Sequence, residues 1–200
     1  MNAPVLLTWL ATRNDPYERV RSGGAFCETG AGRVPGPTLT LLTDPASPYA
    51  DTIPDVVVFR QGGAEAETHD RIYNDLGEAL AARAPTIQLH PQVWVHDDPT
   101  DHAAIYEHLR TVLPTIRRRF RGRELIIHLS PGTAAMHTVW ILMAETGFIE
   151  APFTAVQSFR PRERRGRPAV VPFSLGVDTF FKRWQETRPA SASDEKRSIR

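Results

Sequence analysis

Short apolar runs alternate with longer amphipathic ones along most of this chain. Val5 to Leu10, Val56 to Phe59, Thr86 to Val95, Leu125 to Leu129 and Phe153 to Ser158 each read as a buried strand. Ala169 to Leu175 reads as a further strand, expected antiparallel at the sheet edge. Between them the pattern predicts helices over Thr68 to Arg83, from Asp98 to about Phe120, and from a turn at Thr133 to about Glu145. Asp98 as N-cap with Pro99 at the first helical position opens the second of these, and Pro114 is expected to bend or interrupt it. Thr38 to Thr43 is readable both ways; Pro37 at a first turn favours a short crossover helix over a strand. Arg13 to Pro37, rich in Gly, Pro and charge, reads as a long loop. Strands separated by helices imply an α/β, Rossmann-like fold with a mainly parallel sheet of about six strands and helices on both faces. The domain is expected over residues 1–185, with residues 186–200 a polar, disordered tail.

The segment from Leu125 to Glu145 carries the most chemistry. A strand feeds an apolar helix through Ser130-Pro131-Gly132-Thr133. The first N–H groups of a helix lack intrahelical partners and its dipole favours negative charge, so such a corner accepts anions. Gly132 allows close approach of a ligand to the backbone, while Ser130 and Thr133 offer hydroxyls. The same corner occurs without a ligand in many α/β domains, and Thr133 also suits a plain helix cap. It is neither a P-loop nor a dinucleotide fingerprint.

Length and composition narrow the field. Two hundred residues, 41% hydrophobic and 24% charged, suit one globular domain. A net charge of +1 argues against general nucleic-acid affinity, so direct DNA binding is not expected. Lys182 and Lys196 are the only lysines, and the rest of the basic charge is arginine. Arginine is the better bidentate partner for phosphate, though a GC-rich genome gives the same bias. Cys27 is the single cysteine, which excludes an internal disulfide and a cysteine metal cluster. No stretch reaches the ~18 apolar residues a membrane span needs. The start lacks a signal-peptide pattern, so a cytoplasmic protein is expected.

In an open parallel sheet, ligands sit beyond the carboxyl ends of the strands. The residues found there are Thr12, Arg13, Asn14 and Asp15; His96 and Asp97; Ser130, Pro131, Gly132 and Thr133; and Gln157 and Ser158. These sets suit a ligand with base and phosphate groups: amides for base edges, hydroxyls and N–H groups for phosphate. His96, Asp97, Asp98, Asp101 and His102 could suggest a metal cluster, but acidic residues belong at a helix start, and no metal or cofactor is expected. His128 alternates into its strand, and His137 lies one turn into its helix, either at the site mouth or packed. Met136, Trp140 and Met143 follow helical spacing and belong to core or dimer interface. Arg117 to Arg119, Arg121 and Arg123 suit a solvated helix end. Arg160, Arg162, Arg164, Arg165 and Arg167 form a basic loop that either folds over an anion or stays solvated.

Three segments resemble the CARF (CRISPR-associated Rossmann fold) domains, and among them the sensor domains of RtcR-type RNA-repair transcriptional activators. They are His96-Asp-Asp-Pro-Thr-Asp101 running into Ile105-Tyr106, Ile127-His-Leu-Ser-Pro-Gly-Thr133, and Trp140-Ile-Leu-Met-Ala-Glu145 followed by Ala155-Val-Gln-Ser158. The likeness spans about residues 3–182. It implies a homodimeric sensor of cyclic oligoadenylate or a related RNA-derived nucleotide, serving CRISPR-linked defence or RNA repair. The ligand would lie across the dimer axis, touching Thr12, Asn14 and Asp15, and Ser130, Gly132 and Thr133, of both copies. Many CARF domains place a basic residue after the Gly-Thr turn, where this chain has Ala134-Ala135; that weakens both phosphate grip and ring opening. The chain ends soon after the sensor-like part, so a stand-alone sensor or a piece of a longer effector protein is expected, with an effector in cis or in trans. One alternative is a metal-independent ring nuclease in which Ser130, Thr133 and His137 stabilise charge around an in-line ligand 2′-hydroxyl. Another is an interaction module dimerising through the helix around Trp140.

Overall fold

The computed structural model describes residues 2–22, 25–28 and 33–173. In chain order the strands and helices are β1 (Val5–Trp9), β2 (Arg19–Ser22), β3 (Ala25–Glu28), α1 (Pro37–Thr43), β4 (Asp55–Gln61), α2 (Ala66–Arg83), β5 (Gln88–Trp94), α3 (His102–Arg119), β6 (Leu125–His128), α4 (Ala134–Glu145), β7 (Phe153–Ser158) and β8 (Val170–Pro172). Single 3₁₀ turns occupy Gly63–Glu65 and Pro161–Glu163.

Among the described residues six strands form the main sheet in the order β5-β4-β1-β6-β7-β8, and β2 and β3 form a separate pair. β1, β4, β5, β6 and β7 run parallel, and β8 closes the edge antiparallel to β7. This is the α/β, Rossmann-like, mainly parallel architecture that the pattern predicts. The chain builds outward from β1 through β4 to β5, then returns to the other side of β1 for β6 and β7. The order therefore reverses between β1 and β6, and that crevice is the topological switch point.

Period-two alternation in β1 explains the core. Val5, Leu7 and Trp9 face α3 and α4 with Phe59, Ile127, Ile105, Leu109 and Trp140. Leu6 and Leu10 face α1 and α2 with Val56, Val58, Leu39, Leu42, Ile72 and Leu76. Central strands buried on both faces read as continuous apolar runs, and β1 is buried at every position.

Three local expectations change. The stretch read as a loop from Arg13 to Pro37 contains the β2–β3 hairpin, a pair of four-residue strands. α3 begins at His102, not beside Pro99, because Asp101 is its N-cap and accepts from the Ala104 N–H at 3.0 Å. Asp98 instead closes a turn, accepting from the Thr100 N–H at 2.8 Å and its hydroxyl at 2.6 Å. α3 also continues through Pro114 without a break. Thr38 to Thr43 is helical, with Pro37 at its first position and Gly36 as its cap. The expected end of the sixth strand at Leu175 and the polar tail lie outside the described residues.

Candidate functional site

Two adjoining cavities of about 440 and 410 Å³ open above the β1–β6 crevice and share Asn14 and Ser130. Together they form one cleft at the switch point. The first is bordered by the loop after β1 (Thr12, Arg13, Asn14) and the turn from Ser130 to Thr133, with Gln61 and His69 below. The second continues past His137, Gln157 and Ser158 to Arg160 and Glu163.

The turn is held largely by side-chain bonds. Ser130 Oγ accepts from the Ser158 N–H at 2.7 Å and donates to the Ser158 carbonyl at 3.0 Å, extending the β6–β7 ladder with a side chain. Gly132 sits at φ +105°, and a Cβ there would lie 3.0 Å from Met136 Sδ and 3.3 Å from Trp9 Cβ. Thr133 Oγ1 accepts from the Met136 N–H at 3.3 Å and donates to the Pro99 carbonyl at 2.7 Å, tying the turn to the β5–α3 connection. His137 Nε2 donates to the Pro131 carbonyl at 2.8 Å, which fixes the proton on that nitrogen. Among the described residues the N–H groups of Gly132, Ala134 and Ala135 have no acceptor, which leaves a cradle of donors at the start of α4.

Beneath the cleft lies a buried polar layer. His128 is fully buried; its Nε2 is hydrogen-bonded with Ser158 Oγ at 2.7 Å and its Nδ1 with Thr8 Oγ1 at 3.1 Å. Ser158 Oγ in turn donates to the Pro37 carbonyl at 3.1 Å. Burial, and then the charge of His137, push His128 down to about 3, so it is neutral at every ordinary pH. On the β1 side Asp15 is also fully buried, accepting from the Ala11 N–H at 3.0 Å, the Thr38 N–H at 3.3 Å and the Thr38 hydroxyl at 3.0 Å. Burial raises it to about 6 despite those bonds. Asp15 therefore holds the loop from below. Gly36, the cap of α1, presses on that loop too: a Cβ there would fall 1.7 Å from the Asn14 carbonyl oxygen.

Of the residues expected at strand ends, the structure gathers Thr12, Arg13, Asn14, Ser130, Pro131, Gly132, Thr133, Gln157 and Ser158, together with His137. Asp15 does not face the cleft. His96 lines neither cavity: it packs on Trp94 and sits 3.4 Å from Asp101 Oδ2, while its carbonyl accepts from Gln61 Nε2 at 2.7 Å. Asp97 turns back to accept from the Ala64 N–H at 3.2 Å. The β5 end reaches the cleft through Pro99 instead. Gln61, His69, Pro99 and Glu163 are lining residues that sequence reasoning missed; Gln61 ends β4, so the strand-end rule itself would have found it. Among the described residues no group of three His, Cys, Asp or Glu is placed to hold a metal ion.

The arginine runs have separate fates. Arg117 donates to the carbonyls of Arg123 at 2.9 Å and Pro152 at 3.2 Å, and also to that of Glu150. Arg123 pairs with Asp55 at 2.7 Å, and Asp55 also meets His90 at 2.6 Å. These lie at the amino-end edge of the sheet, away from the cleft. Arg164 pairs with Asp44, and Arg167 covers the Phe159 ring. Arg160 alone of its run lines the cleft.

No protein-family model matches the chain, and no curated protein matches it. Solved structures do match. The chain is similar to Enterococcus italicus Csm6 bound to cyclic hexa-2′-fluoro-hexa-dAMP, with a TM-score of 0.66 and 14% sequence identity. The match covers 92% of this chain and 44% of that one, so the chain spans less than half of the Csm6 length. At this identity the likeness establishes a shared fold, in agreement with the Rossmann-like architecture implied by the CARF resemblance. Among the described residues no helix is long and apolar enough to cross a membrane.

Proposed function

We propose that this chain is a nucleotide-sensing domain that binds cyclic oligoadenylate or a related RNA-derived nucleotide in the cleft between β1 and β6. The observation that carries the reading is the unpartnered donor cradle at Gly132, Ala134 and Ala135, placed at the switch point and flanked by Asn14, Gln157 and Ser158. Phosphate would sit on the cradle and base edges against the amides. The fold shared with a Csm6 structure that holds a cyclic hexanucleotide supports the ligand class. The RtcR-like segments favour an RNA-repair or CRISPR-linked role.

The sensing unit is proposed to span residues 1–185 and to act as a homodimer, with an effector in cis or in trans. α4 is apolar nearly all round, and Leu142 on it and Tyr106 on neighbouring α3 are exposed large hydrophobics, a surface suited to a second copy. A binding role is favoured over a ring nuclease because the hydroxyls of Ser130 and Thr133 and the Nε2 of His137 are each committed to holding the turn. Ser158 Oγ does meet the His128 imidazole, but both are buried beneath the cleft and that hydroxyl is spent on the Pro37 carbonyl.

Calorimetry with cyclic tetra-adenylate, cyclic hexa-adenylate and RNA ending in a 2′,3′-cyclic phosphate tests this. Heat of binding is expected from at least one, with no linear product after hours of incubation. Gly132→Arg, which fills the cradle, should abolish the heat. Silence from all three ligands in the parent protein would overturn the reading.

A further inference from the structure

At its Arg160 end the cleft as folded is ion-paired within the protein. Arg160 lies two residues past the end of β7 with 16% of its side chain exposed, and its guanidinium is engaged inside the protein. It pairs with Glu18 Oε1 at 2.5 Å, reaches Asn14 Oδ1 at 3.3 Å, and pairs with Glu163. Glu18 is 3% exposed and also meets Arg162 at 3.1 Å. Two arginines thus face two glutamates, and of these four groups Arg160 and Glu163 line the cleft and balance each other there.

The two glutamates are not equivalent. Glu18 is locked in place, whereas Glu163 has 39% of its side chain exposed and rides on a single 3₁₀ turn. That turn holds it over Arg160 reciprocally: the Glu163 N–H donates to the Arg160 carbonyl at 2.8 Å, and the Arg160 N–H donates to Glu163 Oε2 at 3.3 Å. A partly exposed ion pair is weak, while a phosphate oxygen offers the same guanidinium an equally strong, charge-assisted acceptor.

We propose that Glu163 is an internal stand-in for a ligand phosphate, and that Arg160 is the cation which grips that phosphate once Glu163 swings away. The inference rests on the nucleotide-binding reading above and deepens it. Swinging Glu163 out leaves Glu18 balancing one of the two arginines, and the cleft gains one positive charge when the anion arrives. Arg160 also touches Asn14, so the exchange reports ligand arrival to the loop after β1. This supplies the cation that Ala134-Ala135 lacks after the Gly-Thr turn.

Calorimetric titration of the parent protein, Glu163→Gln and Arg160→Lys with cyclic hexa-adenylate and inorganic tripolyphosphate tests it. Glutamine keeps the acceptor that caps the Arg160 N–H but removes the competing charge. Glu163→Gln is therefore expected to bind about threefold to fivefold tighter. Arg160→Lys, which keeps the counter-charge for Glu18 but loses the planar fork, should bind about tenfold weaker. If Glu163 only caps its turn, Glu163→Gln matches the parent, and the inference fails while the binding reading stands. Silence in every protein would overturn both.

Discussion

At the scale of single residues, three buried ionisable groups set how stability responds to acid. Burial pushes His128 down to about 3 and half-buried His108 down to about 4, from an ordinary value of 6.5. Both are neutral when folded and take up a proton on unfolding, so their stabilisation is complete above pH 6.5 and is lost as pH falls. Asp15 acts in the opposite sense. Its folded value is raised from 3.8 to about 6, so the native state holds the proton and stability falls as pH rises through that window. Between about pH 7 and 5, His128 costs on the order of 2 kcal/mol and Asp15 returns on the order of 1 kcal/mol. His108, nearer solvent, adds a smaller loss. The domain should lose stability on acidification, and Asp15→Asn should lose more across the same interval in urea melts. A variant profile no steeper than the parent's would count against this account of Asp15.

At the scale of elements, the turn into α4 depends on one hydroxyl doing two jobs. Thr133 Oγ1 caps the helix and holds the Pro99 carbonyl. Thr133→Ala should cost about 1–2 kcal/mol in thermal or chemical melts and weaken ligand binding, and Thr133→Ser should restore both. Equal stability of Thr133→Ala and the parent would show that the cap does not hold the turn. The central strands were legible in the sequence because burial on both faces leaves uninterrupted apolar runs. The start of α3 was ambiguous because Asp98 and Asp101 are both capping residues before one apolar pattern, and only the Ala104 bond decides between them. The β2–β3 hairpin stayed hidden because its strands are four residues long and stand apart from the main sheet. The site was legible as strand ends converging on a Gly-Thr turn. Its electrostatics were not: Arg160 meets Glu18 and Asn14 across most of the chain, and Asp15 is taken out of the cleft by α1 folding over it.

At the scale of the whole molecule, sheet order decides where a ligand belongs. Reversal between β1 and β6 opens the crevice that the loops of Asn14, Ser130 and Arg160 surround. A second groove lies at the opposite end, lined by Leu113, Pro114, Arg117, Phe148 and Ile149. Glu150 also lines it, Arg117 there is spent on backbone carbonyls and Arg118 on the Thr115 hydroxyl, so it offers less to a phosphate than the cleft does. The most direct measurement is a backbone amide chemical-shift titration with cyclic hexa-adenylate. The account predicts that Asn14, Ser130, Gly132, Thr133 and Ser158 shift together and saturate, while Leu113, Phe148 and Ile149 stay still. Unmoved amides around Gly132 at excess ligand, or shifts confined to the Leu113 groove, would contradict it.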